Sequence, residues 1–353
     1  MSRVELEDSQ INILLNLAYL NGKEDITISS PLLNTDLFRI KLSRRDWNCK
    51  PSINRDRFRD RVDRVRRRVP EYLEDEIPGY DSLRNVIVST GAFEAWEFGE
   101  DYLSGINKIK SNIGGYTICP DTNVLYNRFV SSTIYPHIVK DGFVHPPEFV
   151  ISNMVEDEIR KKMNKRYGKK EIEDLVELGG PVYEELYQQY KLKSRKAKLA
   201  LSELNFIDNE LRMIYHGDEE FIDDNEERDS RIIKEYEDSF KETKKKPMIF
   251  SFEYSFKDKC QNHHFIFLRY PENLFSVNIG HNRLYKLIRY LSQVFGVIQL
   301  KGLGCKILGV WNGMNEIDLE KGKVTLIFDD ESFIVDDLRE CVEISTAVHE
   351  NMK

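Results

Sequence analysis

Apolar residues recur along this chain in two rhythms. In "SQINILLNLAYL" (9–20) they fall at helical spacing, with Ser9 as the candidate N-cap. A polar, irregular stretch follows. In "NRDRFRDRVDRVRRRVPEYL", Phe58, Val62, Val65 and Val69 are four, three and four residues apart. That spacing predicts a helix with one buried face, ended by Pro70. Beyond Gly114-Gly115 the pattern turns to short apolar runs separated by helical segments. "TIC" precedes Asp121, "EFVIS" precedes "NMVEDEIRKKM", "PMIFSF" precedes "EYSFKDKC", and "HFIFLRY" follows. Short apolar strands alternating with helices predict an α/β fold with a parallel sheet wrapped by helices. After about residue 275, "HNRLYKLIRYLSQVF" places Leu284, Leu287, Ile288, Leu291 and Phe295 on one helical face. "CKILGVW" and "KVTLIFDD" then read as strands, and "ESFIVDDLRECVEISTAV" leads into a closing helix.

These shifts predict three consecutive parts. Residues 1–112 form a mostly helical accessory unit. Residues 113–273 form the α/β domain, with a charged helical insertion over about 165–220 broken at "GGP". Residues 274–353 form a small α+β appendage.

Composition narrows the function classes. The 41% hydrophobic and 32% charged fractions support folded cores under a charged surface. A net charge of -8 excludes a chain that is basic throughout, so any polyanion site must be a local patch. The five cysteines are far apart and include no C-x-x-C pair, which argues against a disulfide framework or a zinc site and for a reducing compartment. "MSRVELEDSQ" does not read as a signal peptide. No apolar run approaches the ~20 residues of a spanning helix. The expected setting is cytoplasmic, with no membrane partner.

Local basic patches do exist. The arginines of helix 55–68 either form a solvated face held by ion pairs with Asp56, Asp60 and Asp63, or bind phosphate or a partner, since Arg64, Arg66, Arg67 and Arg68 outnumber the nearby acids. In the run 160–170, Arg160, Lys161, Lys162, Lys165 and Arg166 are candidates for nucleic-acid contact, and Tyr167 either stacks on a base or packs. His263 and His264 have no partners at ligand spacing and read as strand-edge or surface residues.

Four acids draw attention together. Asp121 ends the first apolar strand, where it either caps the next helix or ligates a metal. Glu158 lies on the helix opened by Ser152 or Asn153. Asp229 stands three residues before Ile232 at the start of an amphipathic helix, in competition with Asp223, Asp224, Glu226 and Glu227. Glu253 follows "MIFS", and either ligates, caps a helix or pairs with Lys257. In a parallel sheet the carboxyl ends of the strands face one edge, so Asp121 and Glu253 belong at that edge. Neighbouring carboxylates raise each other's pKa, and a divalent cation keeps them ionised. An oxygen-only set suits Mg²⁺ or Mn²⁺.

Residues 115–272 resemble the PIN-domain nuclease family. The motifs are "TICPDTNVLY", Val155-Glu156-Asp157-Glu158-Ile159, Asp229-Ser230-Arg231-Ile232 and "IFSFEYSFKDKC", in that order on the expected elements. The resemblance implies a Mg²⁺- or Mn²⁺-dependent endoribonuclease cutting single-stranded or flexible RNA, a hydrolase of phosphodiester bonds. Asp121, Glu158 and Asp229 would be the core metal ligands and catalytic acids, with Glu253 in the fourth place. Thr122, Asn123 and Ser251 would support them by hydrogen bonding. The resemblance also implies a homodimer, and the accessory unit is the expected site for a protein partner. Two departures stand out. Glu253 replaces the family's Asp, and Asp229 follows Glu158 by 71 positions. They keep two alternatives open: a catalytically weak PIN-fold module that binds RNA or protein, and a nuclease acting on DNA.

Overall fold

The structure is a computed structural model that describes residues 2–44, 47–93, 99–111, 115–139, 147–217, 222, 224–253, 255–269, 277–328 and 334–351. It is an α/β protein with two sheets, and it corrects the expected division into three consecutive parts. One unit comprises Met1–Ala92, Lys165–Arg195 and Leu274–Lys353; the other comprises Phe93–Asn164 and Lys196–Asn273. The N- and C-terminal stretches are parts of one unit because their strands pair with each other.

The strands in chain order are β1 (Ser2–Leu6), β2 (Asp25–Ser30), β3 (Thr35–Lys41), β4 (Asn48–Pro51), β5 (Tyr116–Pro120), β6 (Glu148–Ser152), β7 (Arg212–His216), β8 (Lys246–Ser251), β9 (Ile266–Arg269), β10 (Ile279–Gly280), β11 (Val297–Lys301), β12 (Cys305–Leu308) and β13 (Val324–Phe328). The first unit carries an eight-stranded antiparallel sheet in the order β1-β13-β12-β11-β2-β3-β4-β10. Leu6 stands opposite Val324 at one edge, and Gln299 opposite Ser29 at the centre, so N- and C-terminal strands pair with each other in both places. The region read as irregular, after residue 20, holds β2 to β4. Ile26, Ile28, Leu37, Phe38 and Ile40 are buried, while Asp25, Arg39 and Lys41 face out. An antiparallel sheet with one solvated face tolerates that mixed pattern.

Helix His281–Phe295 packs against helix Tyr80–Ser89 and β11, and buries Leu284, Leu287, Ile288 and Leu291 as its spacing predicts. Gly309 permits the close approach after β12: a Cβ there would lie 2.2 Å from the backbone nitrogen of Gln293. The returning segment Lys165–Arg195, read as part of an insertion in the α/β domain, is anchored inside this first unit. Fully buried Arg195 donates to the Tyr190 carbonyl at 2.6 Å and to the Val294 carbonyl at 2.9 Å. Buried Glu76 accepts from the Tyr167 hydroxyl at 2.8 Å and from the Leu192 N–H at 2.6 Å. Ser9 is no N-cap; it lies within a 3-10 turn, Asp8–Gln10, that leads into helix Ile11–Leu20.

The second unit carries a five-stranded, fully parallel sheet in the order β7-β6-β5-β8-β9. Ile118, Phe149, Val150, Ile151, Met248, Ile249 and Phe250 are buried, the near-continuous apolar signature of strands covered on both faces. From β5 the chain winds outward through β6 to β7, then returns to the other side of β5 to lay down β8 and β9. The winding direction therefore reverses between β5 and β8. Such a switch point leaves a crevice at the carboxyl ends of the two strands. Strand β7 was not anticipated. It is a short edge strand with only half-buried apolar residues, Met213 and Ile214, and its flanks are charged.

Among the described residues, no helix is long and apolar enough to cross a membrane.

A carboxylate cluster at the sheet switch point

Asp121 leaves the end of β5, and Glu253 lies two residues beyond the end of β8, so the two acids flank the switch point. Asp121 is held in place from three directions. Its backbone N–H donates to the Phe250 carbonyl at 2.9 Å. Its Oδ1 accepts from the Thr122 N–H at 2.7 Å, and its Oδ2 accepts from the Ser251 hydroxyl at 2.8 Å. It is the N-cap of helix Thr122–Tyr126, with extended backbone. The cap and the acidic site are one and the same residue.

The next two residues link Asp121 to other acids. The Thr122 hydroxyl donates to Glu158 Oε2 at 2.8 Å. The Asn123 amide donates to Glu253 Oε1 at 2.6 Å and lies 3.5 Å from Asp121 Oδ2. Ser251 also accepts from the Glu253 N–H at 3.0 Å. The tripeptide Asp121-Thr122-Asn123 is thus the hub of the site.

Glu158 projects from helix Asn153–Lys162, which Ser152 caps by accepting from the Met154 N–H. Ile159 is fully buried beside it. Lys162, one turn on, pairs with Glu158 at 2.5 Å, and Arg228 Nε lies 3.8 Å away. Asp229 lies one turn inside helix Asn225–Thr243, not at its start; Asp224 is the N-cap there. Ile232 is buried, as the spacing requires. Asp229 pairs with Lys259 at 3.6 Å. Of its competitors, Asp223 lies outside the described residues.

Burial of Asp121, which is 4% exposed, pushes its pKa up to about 7, with the Glu253 and Glu158 carboxylates adding to the rise and the Ser251 and Thr122 hydrogen bonds opposing it. Burial also raises Asp229; Lys259 opposes this and Glu253 reinforces it. Glu253 therefore acts electrostatically on both Asp121 and Asp229. Among the described residues, no group of three or more His, Cys, Asp or Glu side chains stands close enough to hold a metal ion. Thr122 and Asn123 sit between the acids, and Lys162 and Lys259 each neutralise an outer one. The donor set itself is hard oxygen and mutually repulsive, which fits Mg²⁺ or Mn²⁺ in chemistry and charge.

Lys259 and Arg228 were not anticipated as site residues. Arg228 had a signal, being adjacent to Asp229; Lys259 had none, because its partner lies thirty residues earlier in the chain. Of the five basic candidates, Arg160 pairs with Glu156 at 2.5 Å, Lys161 is exposed on the same helix, and Lys162 belongs to the acid cluster. Lys165 and Arg166 fall in the other unit. There Arg166 lies over the Tyr190 ring at 4.3 Å and donates to the Gln188 carbonyl at 2.8 Å. Tyr167 is buried, which settles its role as packing. His263 pairs with Glu237 at 3.2 Å on the half-exposed surface.

No protein-family model, curated protein or solved structure matches the chain.

Proposed function

We propose that the parallel-sheet unit is a PIN-like, Mg²⁺- or Mn²⁺-dependent endoribonuclease acting on single-stranded or flexible RNA. One observation carries the reading. Two acids flank the switch point of a parallel sheet, and one of them, Asp121, is buried and raised to about 7 beside carboxylates at Glu253 and Glu158. Such an arrangement is unfavourable without a cation and suits one that arrives with an anionic substrate.

In this reading Asp121 and Glu253 would hold the metal, while Glu158, bonded to the Thr122 hydroxyl, and Asp229, paired with Lys259, would add negative charge from outside that pair. The metal, when bound, would activate water and stabilise charge on the phosphodiester. Ser251 and the Thr122 N–H fix the Asp121 carboxylate, and Asn123 fixes Glu253. Lys162 and Lys259 offset the repulsion between the acids and the RNA phosphates.

A second reading is a catalytically weak binding module. The pairs Lys162–Glu158 and Lys259–Asp229 favour it, since they balance two acids without any metal. Incubation with labelled single-stranded RNA and DNA, with Mn²⁺ or with EDTA, separates the readings. The nuclease reading expects Mn²⁺-dependent RNA cleavage that Asp121→Asn abolishes. Cleavage of DNA alone, or metal-independent binding without cleavage, refutes it.

A further inference from the structure

Helix Arg55–Arg66 of the antiparallel-sheet unit opens an arginine-rich run: residues 55–68 hold eight arginines against three aspartates. Local ion pairing with Asp56, Asp60 and Asp63 was one expectation. It does not occur: Arg57, Arg61, Arg64 and Arg68 make no ion pair among the described residues. Arg64 Nε instead donates to the Asp60 carbonyl oxygen at 3.1 Å, which leaves its positive charge uncompensated.

These four arginines are four, three and four residues apart. At ~100° per residue they fall in one strip roughly 60° wide and, at ~1.5 Å rise, roughly 16 Å long. Arg68 stays in register because its N–H continues the turn to the Val65 carbonyl at 2.9 Å. Arg57, Arg64 and Arg68 are exposed and Arg61 half-exposed. Of the other four arginines, Arg67 is exposed but lies off the strip, and three are engaged elsewhere. Arg55 and Arg59 lie over the Tyr80 ring at 5.0 and 5.1 Å, and Arg66 donates to the Ile77 carbonyl at 3.2 Å.

We propose that the strip Arg57-Arg61-Arg64-Arg68 binds the phosphate backbone of single-stranded RNA. Guanidinium groups bind phosphate in a bidentate manner, and a linear row of them can track a chain of phosphates. A membrane surface is disfavoured because Phe58, Val62 and Val65, the apolar residues of this helix, are all buried, leaving no apolar anchor. Tyr80 is buried under Arg55 and Arg59 and offers no open face for base stacking. The strip therefore reads charge and not sequence. It adds an RNA-binding surface on the antiparallel-sheet unit, and it rests on the ribonuclease reading only for the choice of RNA.

The test measures binding of a fluorescent oligouridine to the full chain in EDTA, which keeps the RNA intact, as KCl is raised. The expected wild-type result is a steep fall of log affinity with log salt. The variant R57Q/R61Q/R64Q/R68Q, with unchanged circular dichroism, should bind roughly tenfold or more weakly at low salt and lose ~0.7 of slope per vacated phosphate. The corresponding four-lysine variant should keep most of the slope. An unchanged slope in the glutamine variant overturns the proposal. So does arginine-dependent binding to phosphatidylserine vesicles or to polyglutamate with none to the oligouridine. Mn²⁺-dependent cleavage is scored separately. A reduced slope without any cleavage leaves the strip standing and sinks the nuclease, while cleavage with an unchanged slope does the reverse.

Discussion

Asp121→Asn should make the chain more stable than the wild type at pH 8, although it removes the most central acid of the site. Asp121 is raised from 3.8 to about 7, mainly by burial and by the Glu253 carboxylate. Between those two values the folded chain holds a proton that the unfolded chain has released. The contribution is fully present below pH 3.8, falls as pH rises, and is gone above about 7. At ~1.36 kcal/mol per pH unit the whole swing is about 4 kcal/mol. That figure is a ceiling, because an asparagine in this pocket also has its amide hydrogens to satisfy. Its side-chain carbonyl can still accept from the Thr122 N–H or the Ser251 hydroxyl. Urea unfolding in EDTA at pH 5, 6.5 and 8 measures the effect. Wild-type stability should decline across that range relative to the variant, and the variant should be the more stable at pH 8. Mn²⁺ at a hundredfold excess over its dissociation constant should then restore ~2.7 kcal/mol to the wild type and nothing to the variant. Parallel pH dependence in the two proteins would refute the assignment of a raised pKa to Asp121. Equal stabilisation by Mn²⁺ would refute its role in holding metal.

Three further outcomes follow from the same geometry. Ser251→Ala removes a hydrogen bond that favours ionised Asp121, so the acid limb of the pH–rate profile for RNA cleavage should move up by about one pH unit, with little change at pH 8.5. Thr122→Val removes the hydroxyl that orients Glu158, and the Mn²⁺ concentration needed for half-maximal thermal stabilisation should rise roughly tenfold or more. Gly309→Ala drives a Cβ into the backbone of Ser292 and Gln293, and denaturant unfolding should show a loss of about 3 kcal/mol.

The parallel sheet was legible because its strands are buried on both faces. "TIC", "EFVIS" and "PMIFS" centre on consecutive apolar residues, Phe149-Val150-Ile151 and Met248-Ile249-Phe250 among them, and the acids that follow two of them sit where strand ends must point. Asp229 was legible through Ile232. The antiparallel sheet was not. In β2 and β3 the apolar positions are interleaved with Asp25, Arg39 and Lys41, and a bulge between Ile28 and Ser29 breaks their period. Strand pairing leaves no mark in a single sequence, so nothing told β2 that its neighbour would be β11, some 270 residues later. Nor could spacing reveal that the charged segment 165–195 returns to the first unit. Arg195, the residue that anchors it, reads in sequence as one more surface cation in "KLKSRKAK", whereas in the structure it is fully buried.

The pairing of β1 with β13 and of β2 with β11 has a consequence for how the protein is made. On the ribosome, every strand of the parallel sheet has been synthesised by Arg269, before β10 to β13 exist. The antiparallel sheet then lacks half its strands, and β2 has no β11 beside it. Domains ordinarily fold in the order in which they emerge. Here the unit encoded in the middle can finish first, while the N-terminal strands wait for the last stretch of chain. Cutting the chain near residue 273 would therefore not trim an appendage; it would leave β1 to β4 exposed as an unfinished sheet, with the aggregation risk of open strand edges.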